Sequence, residues 1–356
     1  MDRGGLAYAA AFVVALIAAA VAYDAISAWA VHQAEDVDAE AAAARRAYTF
    51  LSGARGGDAP RVIVIGASDA REGVDAYIVD RLLRERGLPH ETFNLAVGGD
   101  TPLRRIPELP LLVEARPALV VYTVGPFTFR DTPPDGLVNR FMPVAHLAAA
   151  PAPGSEAAML LGPAHIEALD PPPFARLSPE RLSMERQAIR DALRDAVASA
   201  LGLEDENERR SRDRSLRVSS VKDPWTTSAE SLSGPALEAA LASFPRGWET
   251  VGDRENENTR AFELVLRTLA EAGIPTLVVE SPLNPAFDDL VPADSLAAFR
   301  ARAAEASLRH GVPFVGAQGI AAPDDFADHV HANRAGREKL SARLADLVAG
   351  LLEARA

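Results

Sequence analysis

The run RVIVIG, Arg61 to Gly66, constrains the fold more than any other stretch: four β-branched residues in a row, closed by a glycine. A strand with one wet face alternates apolar with polar residues, so an unbroken apolar run of this length marks a strand buried on both faces, as in a parallel sheet. Four more runs have the same form. They are Thr92 to Val97 ahead of Gly98 and Gly99, Ala118 to Gly125, the IPTLVVESP stretch from Ile274 to Pro282, and Val312 to Ala317. Helical patterns lie between them. Asp75 can cap a helix that carries Ile78, Leu82 and Leu83 on one side and stops at Gly87, while Arg260 to Ala272 spaces Phe262, Leu264, Val265 and Leu269 helically. Leu340 to Leu352 forms a closing amphipathic helix. Strands alternating with helices predict an α/β fold, a three-layer sandwich around a five-stranded, parallel, doubly wound sheet of flavodoxin-like type.

Composition excludes several functions. With 356 residues and 48% hydrophobic content the chain can bury a large core. A net charge of -13, with no basic cluster interleaved with aromatics, argues against a nucleic-acid partner. The absence of cysteine rules out disulfides, thiolate metal sites and a thiol nucleophile. The strand and helix rhythm fails between the third and fourth strands, at about 131–255, which reads as a mostly helical insertion over the top of the sheet. In it, Ser178 to Leu201 is a capped helix with Pro179 at its first turn, and Glu204 to Ser220 is too polar to bury.

From Gly4 to Tyr23 no charged residue occurs, and about 18 to 20 apolar residues cross the ~30 Å hydrocarbon layer as a helix. Only Asp2 and Arg3 precede this run; Asp24, Glu35, Asp36, Asp38 and Glu40 follow it before the next positives, Arg45 and Arg46. That charge order favours an N-in, single-pass anchor over residues 1–30, in a bacterial inner membrane with the rest in the periplasm. A cleaved signal peptide competes, because Ala20-Val21-Ala22 fits a small-x-small cleavage site. The apolar run continues through Ala25, Ile26, Ala28 and Trp29, which is long for a signal core and favours the anchor. Residues 31–58 read as a helical stalk leading to a domain at 59–356.

Ligands of open parallel sheets sit at the carboxyl ends of the strands, so the residues just past each strand should converge. Ser68 follows the first strand in Gly66-Ala67-Ser68-Asp69; Asn94, Gly99, Asp100 and Thr101 follow the second; Gly125, Pro126 and Phe127 follow the third. Past the fifth comes DDFADHVHANRAG, with Asp328 and His331 ahead of a helix that Asn333 can cap.

These blocks, in this order, resemble the SGNH (GDSL-like) hydrolase superfamily. A serine in a G-x-S turn after the first strand is matched by Ser68, an N-x(4)-G-D-T block by Asn94, Gly99, Asp100 and Thr101, and a terminal D-x-x-H by Asp328 and His331. The resemblance covers about residues 60–130 and 255–356. Fainter likeness in the N-terminal run, ESPLNP and FADHVHANRAG extends to membrane-anchored acyl-transfer proteins of the cell envelope, such as the lipoteichoic-acid D-alanylation protein and alginate O-acetyltransferases. It implies a serine esterase or O-acyltransferase acting on an acylated glycan or small ester, with a multipass membrane acyltransferase as a partner and no cofactor or metal.

The residue types suit that chemistry. A serine hydroxyl needs an imidazole to take its proton, and the imidazole needs a carboxylate to hold it in the right tautomer. The resemblance assigns those roles to Ser68, His331 and Asp328, and the oxyanion donors to the backbone of Ser68 and Gly99. The family's third donor, an asparagine in a G-x-N turn after strand three, is Phe127 here. Asn94, Phe127 and Asn284 complete the candidate oxyanion and substrate-binding set.

Blander readings stand beside these. Ser68 alone reads as a helix-capping or turn serine, Asp69 and Arg71 as substrate contacts or, the favoured reading, solvated turn residues, and Asn284 before Pro285 as a turn former. His329 competes with His331, but three-residue spacing from Asp328 favours the latter. Asp325, Asp328, His329 and His331 are of metal-ligand type. Gly66-Ala67-Ser68-Asp69-Ala70 falls one residue short of the α/β-hydrolase elbow G-x-S-x-G, whose serine follows several strands rather than the first. A catalytically weak or inactive envelope protein that binds glycan or acts as a scaffold is the alternative from a different class, and Phe127 supports it.

Overall fold

The computed structural model describes residues 39–53, 59–130, 151–169, 221–222, 230–244, 255–317 and 319–355. The chain divides into two units, 1–42 with 171–216, and 43–170 with 217–356; apart from residues 39–42, the described residues belong to the second. The N-terminal apolar run, the helix expected at Ser178 to Leu201 and the polar run after Glu204 lie outside the described residues. Among the described residues no helix is long and apolar enough to cross a membrane.

Five strands form one all-parallel sheet: β1 (Arg61–Ile65), β2 (Glu91–Asn94), β3 (Leu119–Val124), β4 (Thr276–Glu280) and β5 (Phe314–Val315). Their order is β2-β1-β3-β4-β5, that of doubly wound sheets with one reversal of strand order. The reversal falls between β1 and β3, and Ser68 follows β1 directly.

The apolar runs are explained by two-sided burial. Ile63, Ile65, Val120, Tyr122 and Val124 face one apolar layer, while Val62, Val64, Leu119 and Val121 face the other. Val62 to Ile65 are all inaccessible to solvent, each worth about 1.5–3 kcal/mol of transfer free energy. The first layer is covered by α1 (Ala39–Gly53), α4 (Pro102–Arg105), α5 (Leu109–Ala115), α6 (Glu156–Leu169), α8 (Glu257–Glu271) and α9 (Ala293–Arg309). The second is covered by α3 (Ala76–Glu85) and α10 (Arg334–Glu353), through Val79, Leu83, Leu344 and Val348. Among the described residues the remaining α-helices are α2 (Ser68–Gly73) and α7 (Gly234–Ser243).

Several boundaries differ from the sequence expectation. β2 stops at Asn94, not Val97, because Asn94 turns its side chain onto the backbone two residues on, Oδ1 accepting from Ala96 N–H at 3.1 Å. α8 starts at Glu257, not Arg260, since Asn256 and Thr259 form a capping box. The expected stalk does include a helix, but its C-terminal part is no free spacer: Ala47, Tyr48 and Leu51 are buried, and the Phe50 ring lies 4.4 Å from that of Phe93. The insertion contributes α6, broken at Gly162, whose Leu160 and Leu161 join the core and whose Glu156 pairs with Arg267 of α8.

Candidate active site

β1 leads into the site through Gly66. A side chain there would put its Cβ 1.9 Å from Thr123 Oγ1, so only glycine lets the turn pass this close to β3. Thr123 donates its hydroxyl to Ile65 O at 3.1 Å, which fastens the turn to the neighbouring strand. Two residues later Ser68 opens α2, half-buried. The second loop is tied to the first by Val97 N–H donating to Gly66 O at 3.0 Å. Gly99 then adopts φ 57°, a left-handed conformation that side chains disfavour. Arg104 and, at 3.3 Å, Arg130 donate to its carbonyl. Among the described residues neither Ser68 N–H nor Gly99 N–H is used in a hydrogen bond.

The last loop is a tight turn closed on itself. Asp328 Oδ1 accepts from the N–H groups of Val330 at 2.8 Å and His331 at 2.7 Å, and Ala327 N–H donates to His331 O at 2.9 Å. This turn is why the spacing is D-x-x-H: it brings the His331 ring back onto the carboxylate, with Nδ1 donating to Asp328 Oδ2 at 2.6 Å. Nε2 is thereby left as an acceptor, 2.8 Å from Ser68 Oγ. Ser68, His331 and Asp328 form one hydrogen-bonded line across two loops 263 residues apart. Asn333 caps α10 by accepting from Gly336 N–H at 3.0 Å, as the sequence implied, and its amide also donates to Asp324 O and Ser231 Oγ.

Burial alone would push the Asp328 carboxyl up, but the His331 ring and the two turn N–H groups outweigh it and hold it down to about 2. Burial likewise lowers the His331 affinity for a proton, and its bond to Asp328, with the Asp328, Glu72 and Asp69 charges, reverses the balance upward. His331 is therefore a stronger base than a free imidazole. His329 goes the other way, lowered chiefly by burial, and stands edge-on to Phe127 and Phe244, with ring centroids 6.0 and 5.5 Å away.

The line opens on a cavity of about 280 Å³ whose walls include Ser68, Asp69, Gly99, Phe127, Arg130, Leu283, His329 and His331. Phe127 is thus at the site, on the turn Pro126–Phe129 after β3. Three candidate residues are not among its walls: Asp328, which stands behind His331, Asn94 and Asn284. Asn94 spends its amide on Ala70 O at 3.1 Å and Val74 O at 2.9 Å, so it braces α2 and does not face substrate. Asn284 is fully buried; its backbone N–H holds His329 O and its side chain holds Asp328 O, both at 3.0 Å, so it supports the last loop and supplies no oxyanion donor. The solvated reading of Arg71 also fails, because it is buried and paired with Glu72 at 3.0 Å. Asp325 is turned to Lys339 at 2.7 Å, away from a shared site, and among the described residues no three His, Asp or Glu side chains are grouped to hold a metal ion.

Sequence reasoning missed Arg130 and Ser281 in the cavity wall and Arg105 behind it. Arg105 is signalled only by acidic residues five before and three after it, a pattern shared with any solvated helix. No protein-family model matches this chain, and no curated protein matches it.

Proposed function

We propose that the protein is a serine-dependent esterase or O-acyltransferase of SGNH type, working through an acyl-Ser68 intermediate. The observation that carries this reading is the unbroken line Ser68 Oγ to His331 Nε2 at 2.8 Å and His331 Nδ1 to Asp328 at 2.6 Å, facing a cavity beside two uncommitted N–H groups. As Ser68 Oγ attacks an ester carbonyl, its proton passes to His331 Nε2, and Asp328 stabilises the imidazolium. The carbonyl oxygen becomes an oxyanion that the Ser68 and Gly99 N–H groups are free to receive. Collapse of this intermediate breaks the ester C–O bond, His331 returns its proton to the leaving alkoxide, and the acyl group stays on Ser68. Water or an acceptor hydroxyl then reverses these steps.

On the same reading the substrate is an acylated glycan of the cell envelope or a small ester, the chain is held in the inner membrane by its first 30 residues with the domain outside, and a multipass acyltransferase is a partner. Phe127, where the family has an asparagine, favours transfer over hydrolysis: an apolar ring at the cavity keeps water from the acyl-enzyme. It equally supports the second reading, a weakly active or inactive glycan-binding scaffold. A fluorophosphonate probe separates the two. The full chain in detergent is expected to be labelled at Ser68, Ser68→Ala and His331→Ala to abolish labelling, and His329→Ala largely to keep it. Equal labelling of wild type and Ser68→Ala would sink the enzyme reading.

A further inference from the structure

Arg105 ends α4 and has no solvent-accessible surface. Its guanidinium serves both loops that carry the free N–H groups. Nη2 donates to Gly66 O at 2.9 Å, Nη1 and Nη2 to Leu95 O at 3.3 Å, and Nε to Asp100 Oδ2 at 2.6 Å; Nη1 also meets Glu108 Oε2 at 2.5 Å. Gly66 is where β1 turns toward Ser68, Leu95 starts the loop that holds Gly99, and Asp100 follows Gly99 in the cavity wall. A planar fork with five N–H donors holds acceptors of several elements in fixed directions, which the compact ammonium of lysine cannot do.

Stability alone does not account for this cluster. Desolvation of a buried ionic group largely cancels its Coulomb gain, and apolar residues of the same volume often do as well or better. The cluster also holds the Tyr48 and Tyr122 hydroxyls, buried with no hydrogen-bond partner among the described residues. What the guanidinium does achieve is geometric: it ties the two turns to each other.

We propose that Arg105 is a positioning residue that fixes the Ser68 turn relative to the Gly99 turn, and so sets the separation of the two N–H groups that receive the oxyanion. The proposal rests on the acyl-transfer reading above. A misplacement of about 1 Å at a reacting centre costs on the order of a hundredfold in rate, so loosening this tie should show in turnover before it shows in binding.

The test compares the full chain with Arg105→Lys and Glu108→Gln, using p-nitrophenyl acetate turnover and the rate of fluorophosphonate labelling. Arg105→Lys is expected to keep its circular dichroism and KM while kcat and labelling rate fall together by roughly tenfold to a hundredfold. Glu108→Gln, which leaves the contacts to both turns in place, is expected to keep kcat within about threefold. A folded Arg105→Lys with wild-type rates overturns the proposal. If Arg105→Lys does not fold, Glu108→Gln decides: retained kcat supports the tie, and a loss of about tenfold or more shows that cluster charge governs the rate and overturns it. Wild type that neither turns over nor is labelled at Ser68 is a separate outcome, visible before any variant is compared; it defeats the acyl-transfer reading and this proposal with it.

Discussion

Two ionic assemblies stand at the ends of β1 and β2, and they treat a carboxylate in opposite ways. In the line Asp328–His331–Ser68 the acid keeps 39% of its side-chain surface, receives two backbone N–H groups and an imidazole, and is held down to about 2. In the cluster Asp100–Arg105–Glu108 the Glu108 side chain keeps only 4% of its surface, and burial, opposed by Arg105 and reinforced by Asp100, pushes it up to about 7. Burial dominates where solvent is gone, and hydrogen-bond donors dominate where it is not. The open assembly faces the cavity, whereas Arg105 and Glu108 of the sealed one line no part of it.

The largest effect that tests this contrast is expected at Asp328. Asp328→Asn should lower esterase turnover by about four orders of magnitude, as loss of the carboxylate does in serine-protease triads. It should also move the acid limb of the pH–rate profile downward, because the carboxylate that raises the His331 proton affinity is gone. In wild type that limb should lie above the ordinary histidine value of about 6.5. Turnover of Asp328→Asn within tenfold of wild type would mean that Asp328 does not orient and stabilise the His331 imidazole, and the contrast would break.

A smaller effect is expected at the cavity wall. If Phe127 takes the place of the asparagine that is the third oxyanion donor in SGNH hydrolases, Phe127→Asn should raise p-nitrophenyl acetate hydrolysis by about tenfold or more, part of the 10² to 10³ that one such donor supplies. A folded variant with an unchanged or lower rate would show that the Phe127 position does not reach the oxyanion.

The smallest effect concerns the sealed cluster and is one of stability. A carboxyl whose folded affinity for protons is raised contributes most below its unfolded value, 4.5, and loses that contribution as pH rises through about 7. The groups electrostatically coupled to Glu108 are Tyr48 of α1, Asp100, Arg105 of α4 and Tyr122 of β3. Between about pH 5 and pH 8 the melting temperature of wild type should therefore fall by a few degrees relative to Glu108→Gln, which cannot ionise. Parallel melting curves across this range would show that Glu108 is ionised or neutral throughout, and the two assemblies would then differ less than their surroundings imply.

How much was legible in the sequence follows from which signals are local. RVIVIG, ALVVYTVG and TLVVE mark buried parallel strands by composition alone, because two-sided burial leaves no position for a polar residue. Ser68, Asp328 and His331 were legible as polar residues placed just past strand ends, and it was their resemblance as a set to the SGNH blocks, not any one of them alone, that singled them out. The roles of Asn94, Asn284 and Arg105 were decided by tertiary structure, since each side chain bonds backbone carbonyls brought near only by the sheet order, in Asn94 to α2, in Asn284 to the loop at Asp328, and in Arg105 to two strand ends at once. A polar side chain in sequence states what it can donate; only the packed chain states which acceptors are left within 3 Å of it.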